Sequence, residues 1–183
     1  VKQNRSRVSR YKEGHDFLFE DVSNRLLEKL DIVKRSFPRV LDLGCRHGKI
    51  KTILDPRHGQ ESFINCDIST AMAKQAGPPQ LVANEELLPL ADDCLDLVLS
   101  SLYFHWTNDL PQALSEIFRC LSPDGLFLGA LLGGDTLSDL RKSLTSAVSP
   151  ETSELFPRVA PFVQVRDLGD LMQRIGFTMI VVD

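Results

Sequence analysis

The chain has 183 residues, 43% of them hydrophobic and 25% charged, which is enough for one domain with a buried core and is ordinary for a globular protein. A net charge of −4 and a pI near 5.6 exclude a chain-wide basic surface, so no specific nucleic-acid partner is expected. No apolar run approaches the roughly 18 residues that span a bilayer, and the four cysteines, Cys45, Cys66, Cys94 and Cys120, show no CxxC pairing and suit reduced thiols better than a disulfide frame or a zinc site.

Residues 1–13 form a basic arm, with Lys2, Arg5, Arg7, Arg10 and Lys12 and no acid among the first twelve. It reads either as the tail of an organelle-targeting segment or as a solvated terminus, and it leaves peripheral membrane contact open. A first residue of Val1 rather than Met implies that processing or trimming removed what preceded it. Residues 14–183 read as a single domain.

Within that domain, "HDFLFEDVSNRLLEKLDIV" spaces Phe17, Leu18, Val22, Leu26, Leu27, Leu30 and Ile32 as an amphipathic helix requires. Pro38 breaks the pattern, and "RVLDL" follows as a short run suited to a buried parallel strand. Strand-like and helix-like segments then alternate: 62–67, 70–76, 80–84, 95–101, 110–121, 125–133 and 136–148. Such alternation predicts an α/β fold with a doubly wound, mostly parallel sheet and right-handed crossovers. The proline-rich stretch 149–163 reads as a loop over the site, followed by a last helix (165–176) and a last strand (177–183).

In such a sheet, ligands bind beyond the carboxyl ends of the strands. The first strand ends in "LDLGCRHGK", where Asp42, Gly44 and Gly48 fit a D-x-G-x-G-x-G loop whose middle glycine is replaced by Arg46. Arg46 either crowds the ligand, points to solvent from a negative φ, or pairs with Asp42 or Glu86. Asp67 lies 25 residues after Asp42 by subtraction of the two positions, the distance at which one βαβ unit delivers an acid to ribose hydroxyls. Its alternative role is a helix cap, for which Ser69 competes.

The third strand leads into "ANEELLPLADDCLDLVLSS". This layout resembles the class I S-adenosylmethionine-dependent methyltransferases, and the resemblance implies a Rossmann-like fold with S-adenosylmethionine as cofactor. It places Asn84 opposite adenine with Glu85 beside it, and sets Ser100 and Ser101 beside the cofactor. Asn84 stands where an acid is commoner, keeping a carbonyl acceptor while losing a charge.

The segments "HWTNDLPQAL" and "GGDTLSDLRKSL", with "HDFLFEDV" and "DLGDLMQRIGF", sharpen the match. They resemble the mitochondrial complex I assembly factors of methyltransferase type, a family close to the malonyl-carrier-protein methyltransferases. What this implies is a mitochondrial matrix protein that modifies or binds a subunit of respiratory complex I. Members of that family are described as arginine hydroxylases. Nothing in these residues indicates that chemistry directly: non-haem iron asks for two histidines and a carboxylate, and His15, His47, His58 and His105 form no HxD or HxE pair. No metal site is expected.

His105 and Trp106 follow the fourth strand, where a substrate meets a cofactor's reactive end, and are the candidate catalytic residues. The alternative is that Trp106 packs beneath the next helix while His105 bonds backbone; Tyr103 and Phe104 read as a wall. Gly133, Gly134 and Asp135 either touch substrate or open a helix capped by Asp135 or Thr136. A seventh, antiparallel strand usual in the resembled fold has no counterpart before Asp183, so either the sequence continues, or another polypeptide or an open edge able to associate takes that strand's place. Two functions stay in view: a modifying enzyme, or a scaffold that has lost its chemistry. Small-molecule methyl transfer is a third.

Overall fold

In the computed structural model, residues 2, 6, 16–54, 58–146, 159 and 161–183 are described. β1 (Arg39–Leu43) is buried from its second residue onward, the pattern of a strand covered on both faces. It lies at the centre of a five-stranded sheet with β2 (Ser62–Asp67) and β3 (Gln80–Val82) on one side and β4 (Leu95–Ser101) and β5 (Leu121–Ala130) on the other. Every neighbouring pair is parallel. The chain winds outward from β1 to β3 and then restarts at β4, so the strand order reverses between β1 and β4 and opens a crevice at their carboxyl ends.

Two compact units divide the chain, Val1–Leu131 and Leu132–Asp183. The first carries the sheet with α1 (Phe17–Asp31), α2 (Lys49–Ile53), α3 (Thr70–Ala76) and α4 (Leu110–Cys120). α1 packs over β4 and β5 and buries Ser23, Leu26, Leu27 and Leu30. Leu27 and Leu30 join Phe37, Val40, Phe63, Leu97 and Leu99 in one apolar cluster. Full burial of each such side chain is worth about 1.5–3 kcal/mol. The inward face is narrower than the helical spacing predicts: Phe17, Leu18 and Ile32 stay exposed.

Strand boundaries shift for local reasons. β3 ends at Val82 rather than residue 84, because Asn84 makes an isolated antiparallel bridge with Leu87. β5 begins at Leu121 rather than 125, since Leu121 pairs with Leu95 and an irregularity between Leu95 and Leu97 absorbs the extra residues. β5 stands last in the sheet order and, among the described residues, forms its edge.

Two charged clusters fasten the loops of this unit. Arg119 donates to Glu116, to Asp92 and to the carbonyls of Leu88 and Leu90, while Glu116 accepts the Leu88 N–H at 2.8 Å. At the same, amino-terminal end of the sheet, and joined to the first cluster through Asp93, whose N–H bonds Arg119 O and whose carbonyl accepts from Arg39, Arg39 donates through its backbone N–H and two guanidinium nitrogens to Asp96, at 2.7–2.9 Å. Those bonds hold the Asp96 carboxyl down to about 2 against an ordinary 3.8. A carboxyl depressed in the folded state adds stability above its unfolded value and loses it as pH falls toward the folded one. The urea midpoint of the parent is therefore expected to drop between pH 4 and pH 2 more steeply than that of Asp96→Asn, which lacks the titrating group. Parallel curves for the two proteins would rule this contribution out.

The second unit holds α5 (Ser138–Ser146) and α6 (Val165–Ile175). α5 starts two residues later than its composition predicts: Thr136 N–H bonds Gly133 O, Ser138 N–H bonds Asp135 O, and Leu137 has φ +58°. That turn delays the helix, so neither Asp135 nor Thr136 caps it. Residues 177–183 form no strand, which corrects the expected sixth strand. Met179 is 94% and Val181 86% exposed, and Ile180 and Val182 are only half-buried, so the segment lacks the fully covered face that stabilises a strand. The proposed loop over the site falls largely on residues 147–158 and 160, and the basic arm on residues 1–13; apart from residues 2, 6, 159 and 161–163, both lie outside the described residues.

Candidate functional site

At the end of β1 the chain turns through Gly44 (φ +81°), and the N–H groups of Gly44 and Cys45 both donate to Cys66 O, at 2.8 and 3.0 Å. These bonds pin the loop to the end of β2. Gly48 (φ +72°) ends the loop where a Cβ would lie 2.8 Å from Ala76 O, so its glycine serves the close approach of α2 to the end of α3. Arg46 also holds a left-handed conformation, φ +50°, at a cost of about 1–2 kcal/mol for a residue with a Cβ. This corrects the negative-φ alternative.

Side chains from the first turns of α1 close over that loop. The Arg46 guanidinium lies 3.5 Å from Asp16 Oδ1 and 3.4 Å from the Phe19 ring centroid, in cation–π contact. His47 Nδ1 is 3.3 Å from Asp16 Oδ2, and Lys49 pairs with Glu20 at 2.9 Å. Beneath them is a chamber of about 480 Å³, lined by Asp16, Phe19, Ser23, Asp42, Gly44, Arg46 and Ser101 among others. Ser23 Oγ donates to Ser101 Oγ across 3.1 Å.

The chamber thus gathers Asp42, Gly44 and Ser101 from the residues chosen on sequence grounds. Ser100 turns away, its hydroxyl donating to Leu43 O at 2.8 Å. Strand alternation gives the chamber Ser101 instead. Asp16, Phe19 and Ser23 escaped sequence reasoning because the docking of α1 on the glycine loop is a long-range contact. The cationic Arg46 in a glycine position was the one signal for an aromatic and acidic partner.

The other half of the crevice is built differently. Asp67 is 0% exposed and accepts the N–H groups of Ser69 at 2.8 Å and Arg46 at 3.2 Å. Ser69, not Asp67, caps α3, accepting the Met72 N–H at 3.4 Å. Asn84 is exposed and uses Oδ1 to accept the Glu86 N–H. Glu85 is buried and accepts the Tyr103 hydroxyl at 2.5 Å and the Thr107 hydroxyl at 3.0 Å. Tyr103, 1% exposed, lies flush on Gly44: a Cβ there would sit 2.7 Å from Tyr103 Cβ and closer still to its ring.

His105 and Trp106 share a single 3₁₀ turn, Phe104–Trp106, with ring centroids 5.2 Å apart. Trp106 is 52% exposed, and neither residue lines the chamber. The Cys66 thiol is pushed up to about 12, first by burial and then by the neighbouring Asp67, so it stays protonated near neutrality and is a poor nucleophile. Among the described residues, no group of three His, Cys, Asp or Glu side chains is placed to hold a metal ion.

Residues 41–129 match the methyltransferase domain family. Over its whole length the chain is 33% identical to a malonyl-[acyl-carrier protein] O-methyltransferase of Gallionella capsiferriformans (strain ES-2), covering 67% of that protein. The chain belongs to the class I methyltransferase family. It is also 40% identical, over 92% of its length, to "Arginine-hydroxylase NDUFAF5, mitochondrial" of Homo sapiens, and spans about half the length of that relative, 50%. Among solved structures, a putative methyltransferase bound to the Trm112 activator of Haloferax volcanii superposes with a TM-score of 0.72 at 22% identity, covering 96% of this chain and 77% of that one. That likeness concerns the fold.

A class I methyltransferase implies S-adenosylmethionine, and the two halves of this methyltransferase crevice answer differently to it. The chamber between Asp16, Asp42 and Ser101 has the room and the mixed charge for an amino-acid moiety. The nucleoside half does not fit as it stands. Asp67 and Glu85 are buried and satisfied by protein donors, and Tyr103 covers Gly44.

Proposed function

We propose that this chain is the methyltransferase-like part of a mitochondrial matrix protein that acts in respiratory complex I assembly by binding or modifying a complex I subunit. The 40% identity to the human mitochondrial relative over 92% of the chain carries the reading. The domain boundaries fit it, with residues 1–13 as a basic arm and 14–183 as the methyltransferase-like part. The strand β5, last in the sheet order among the described residues, is the edge proposed for association. The reading is tested by tagging the full chain in mitochondria and resolving complexes on native gels. Co-migration with complex I assembly intermediates is expected, and its absence from all of them would sink the assembly role.

Within that reading, Asp42 serves the amino-acid end of S-adenosylmethionine, Gly44 lies under the join between its two ends and Gly48 shapes the loop, while Asp67, Asn84 and Glu85 serve the nucleoside end and Ser100 braces the crevice. His105 and Trp106 are the proposed catalytic pair for a substrate side chain, with His105 as the candidate proton-transfer group. A second reading, a scaffold with impaired chemistry, is favoured by the covered nucleoside half.

Affinity for the cofactor is weakened by Arg46, whose side chain lines the chamber and is held there by Asp16 and Phe19. Arg46→Gly releases the backbone strain and clears the chamber, and is expected to tighten S-adenosylmethionine binding by about tenfold, the equivalent of ~1.4 kcal/mol. Calorimetric titration of parent and variant decides it: equal or weaker binding by Arg46→Gly would show that Arg46 does not obstruct.

A further inference from the structure

We propose that Tyr103 is an internal gate over the nucleoside half of the crevice, its ring lying where a nucleoside would cross Gly44 and its hydroxyl latched to Glu85. The inference rests on the cofactor reading above and names the side chain that controls entry.

Three observations carry it. First, the ring is 1% exposed and so close to Gly44 that even a methyl group on that residue would not fit between them. Protein interiors do not admit two groups in one volume, so the Tyr103 ring and a ligand that crosses Gly44 on the face the ring covers, the face away from the chamber, exclude each other. Second, the latch joins the strand ends that a bound nucleoside would bridge. Gly44 follows β1 and Glu85 follows β3, and Tyr103 spans from one to the other with a 2.5 Å hydrogen bond to Glu85 Oε2. Thr107 secures the second carboxylate oxygen at 3.0 Å. Third, the backbone just before the ring is under strain: Leu102 is buried and has φ +49°, a conformation that a Cβ disfavours and that recurs in switch segments.

In the closed arrangement the amino-acid chamber stays formed, since Tyr103 is not among its lining residues. Opening requires the Tyr103 hydroxyl to leave Glu85 and the ring to leave Gly44. That movement frees at once the floor and the carboxylate that a nucleoside would meet. Apparent affinity is then reduced by the fraction of chains that are open.

The experiment titrates S-adenosylmethionine calorimetrically into the parent chain, Tyr103→Ala and Tyr103→Phe, with folding verified for each by circular dichroism. Tyr103→Ala is expected to bind at least about tenfold more tightly than the parent, and Tyr103→Phe, which keeps the ring and loses the latch, about threefold more tightly. Equal affinity in parent and Tyr103→Ala overturns the gate while leaving the cofactor reading intact. Weaker binding by Tyr103→Ala also overturns it, because the ring would then be a partner of the ligand. Absence of binding in both, with the variant folded, overturns the gate and the cofactor reading together. Should Tyr103→Ala fail to fold, Tyr103→Phe decides: tighter binding supports the latch, unchanged or weaker binding refutes it.

Discussion

Gly44→Ala is expected to lower folding stability by about 2–5 kcal/mol, the sum of a left-handed residue acquiring a Cβ and a buried ring forced from its place. The position has φ +81°, and the added methyl group would overlap Tyr103. For a chain of this size each kcal/mol moves the melting temperature by about 2–4 °C, so a calorimetric scan should show a fall of about 10 °C. The two causes separate in a double-mutant cycle. In a Tyr103→Ala background the clash is gone and only the backbone strain remains, so Gly44→Ala should cost about half as much there. Equal costs in the two backgrounds would place the whole penalty in the backbone.

Asp67→Ala should be nearly as severe, about 2–4 kcal/mol, because two backbone donors lose their acceptor in a buried place. The N–H groups of Ser69 and Arg46 both depend on that carboxylate. Asp67→Asn keeps one carbonyl oxygen as an acceptor and should cost less. Urea unfolding of the two variants checks the order, and an alanine variant as stable as the parent would mean the donors find water. The result bears on function as well: lost cofactor binding in Asp67→Ala counts as a ribose contact only at a urea or temperature margin where the loop is still formed.

The sheet was legible because its signals are local. The run "RVLDL", the aspartates near the ends of β1 and β2 and the alternation of segments all follow from short-range patterning, and β2, α3 and β4 fall on the residues predicted for them. Ends set by tertiary pairing were less legible. β5 begins where Leu121 meets Leu95, and the apolar tail after α6 forms no strand. At the site, the glycine loop announced itself, whereas Asp16, Phe19 and Ser23 did not, since they reach it only when α1 docks. Tyr103 read as wall material, and its placement on Gly44 with a latch to Glu85 depends on three segments meeting. A sequence shows which residue types are available but not which of them fills a shared volume.

The reversal of strand order between β1 and β4 also bears on how the molecule comes into being. Ser100 bonds Leu43 across 57 positions of sequence, and β1 reaches its second neighbour only after β2 and β3 have been laid down. During synthesis the β1–β2–β3 half emerges first with the β1 edge open, and the crevice has no second wall until β4 leaves the ribosome. Contacts of such separation slow folding and prolong the exposure of strand edges. A nascent chain halted before β4 would therefore be a target for chaperones rather than for ligand, and ligand can begin to stabilise the fold only once that strand is in place.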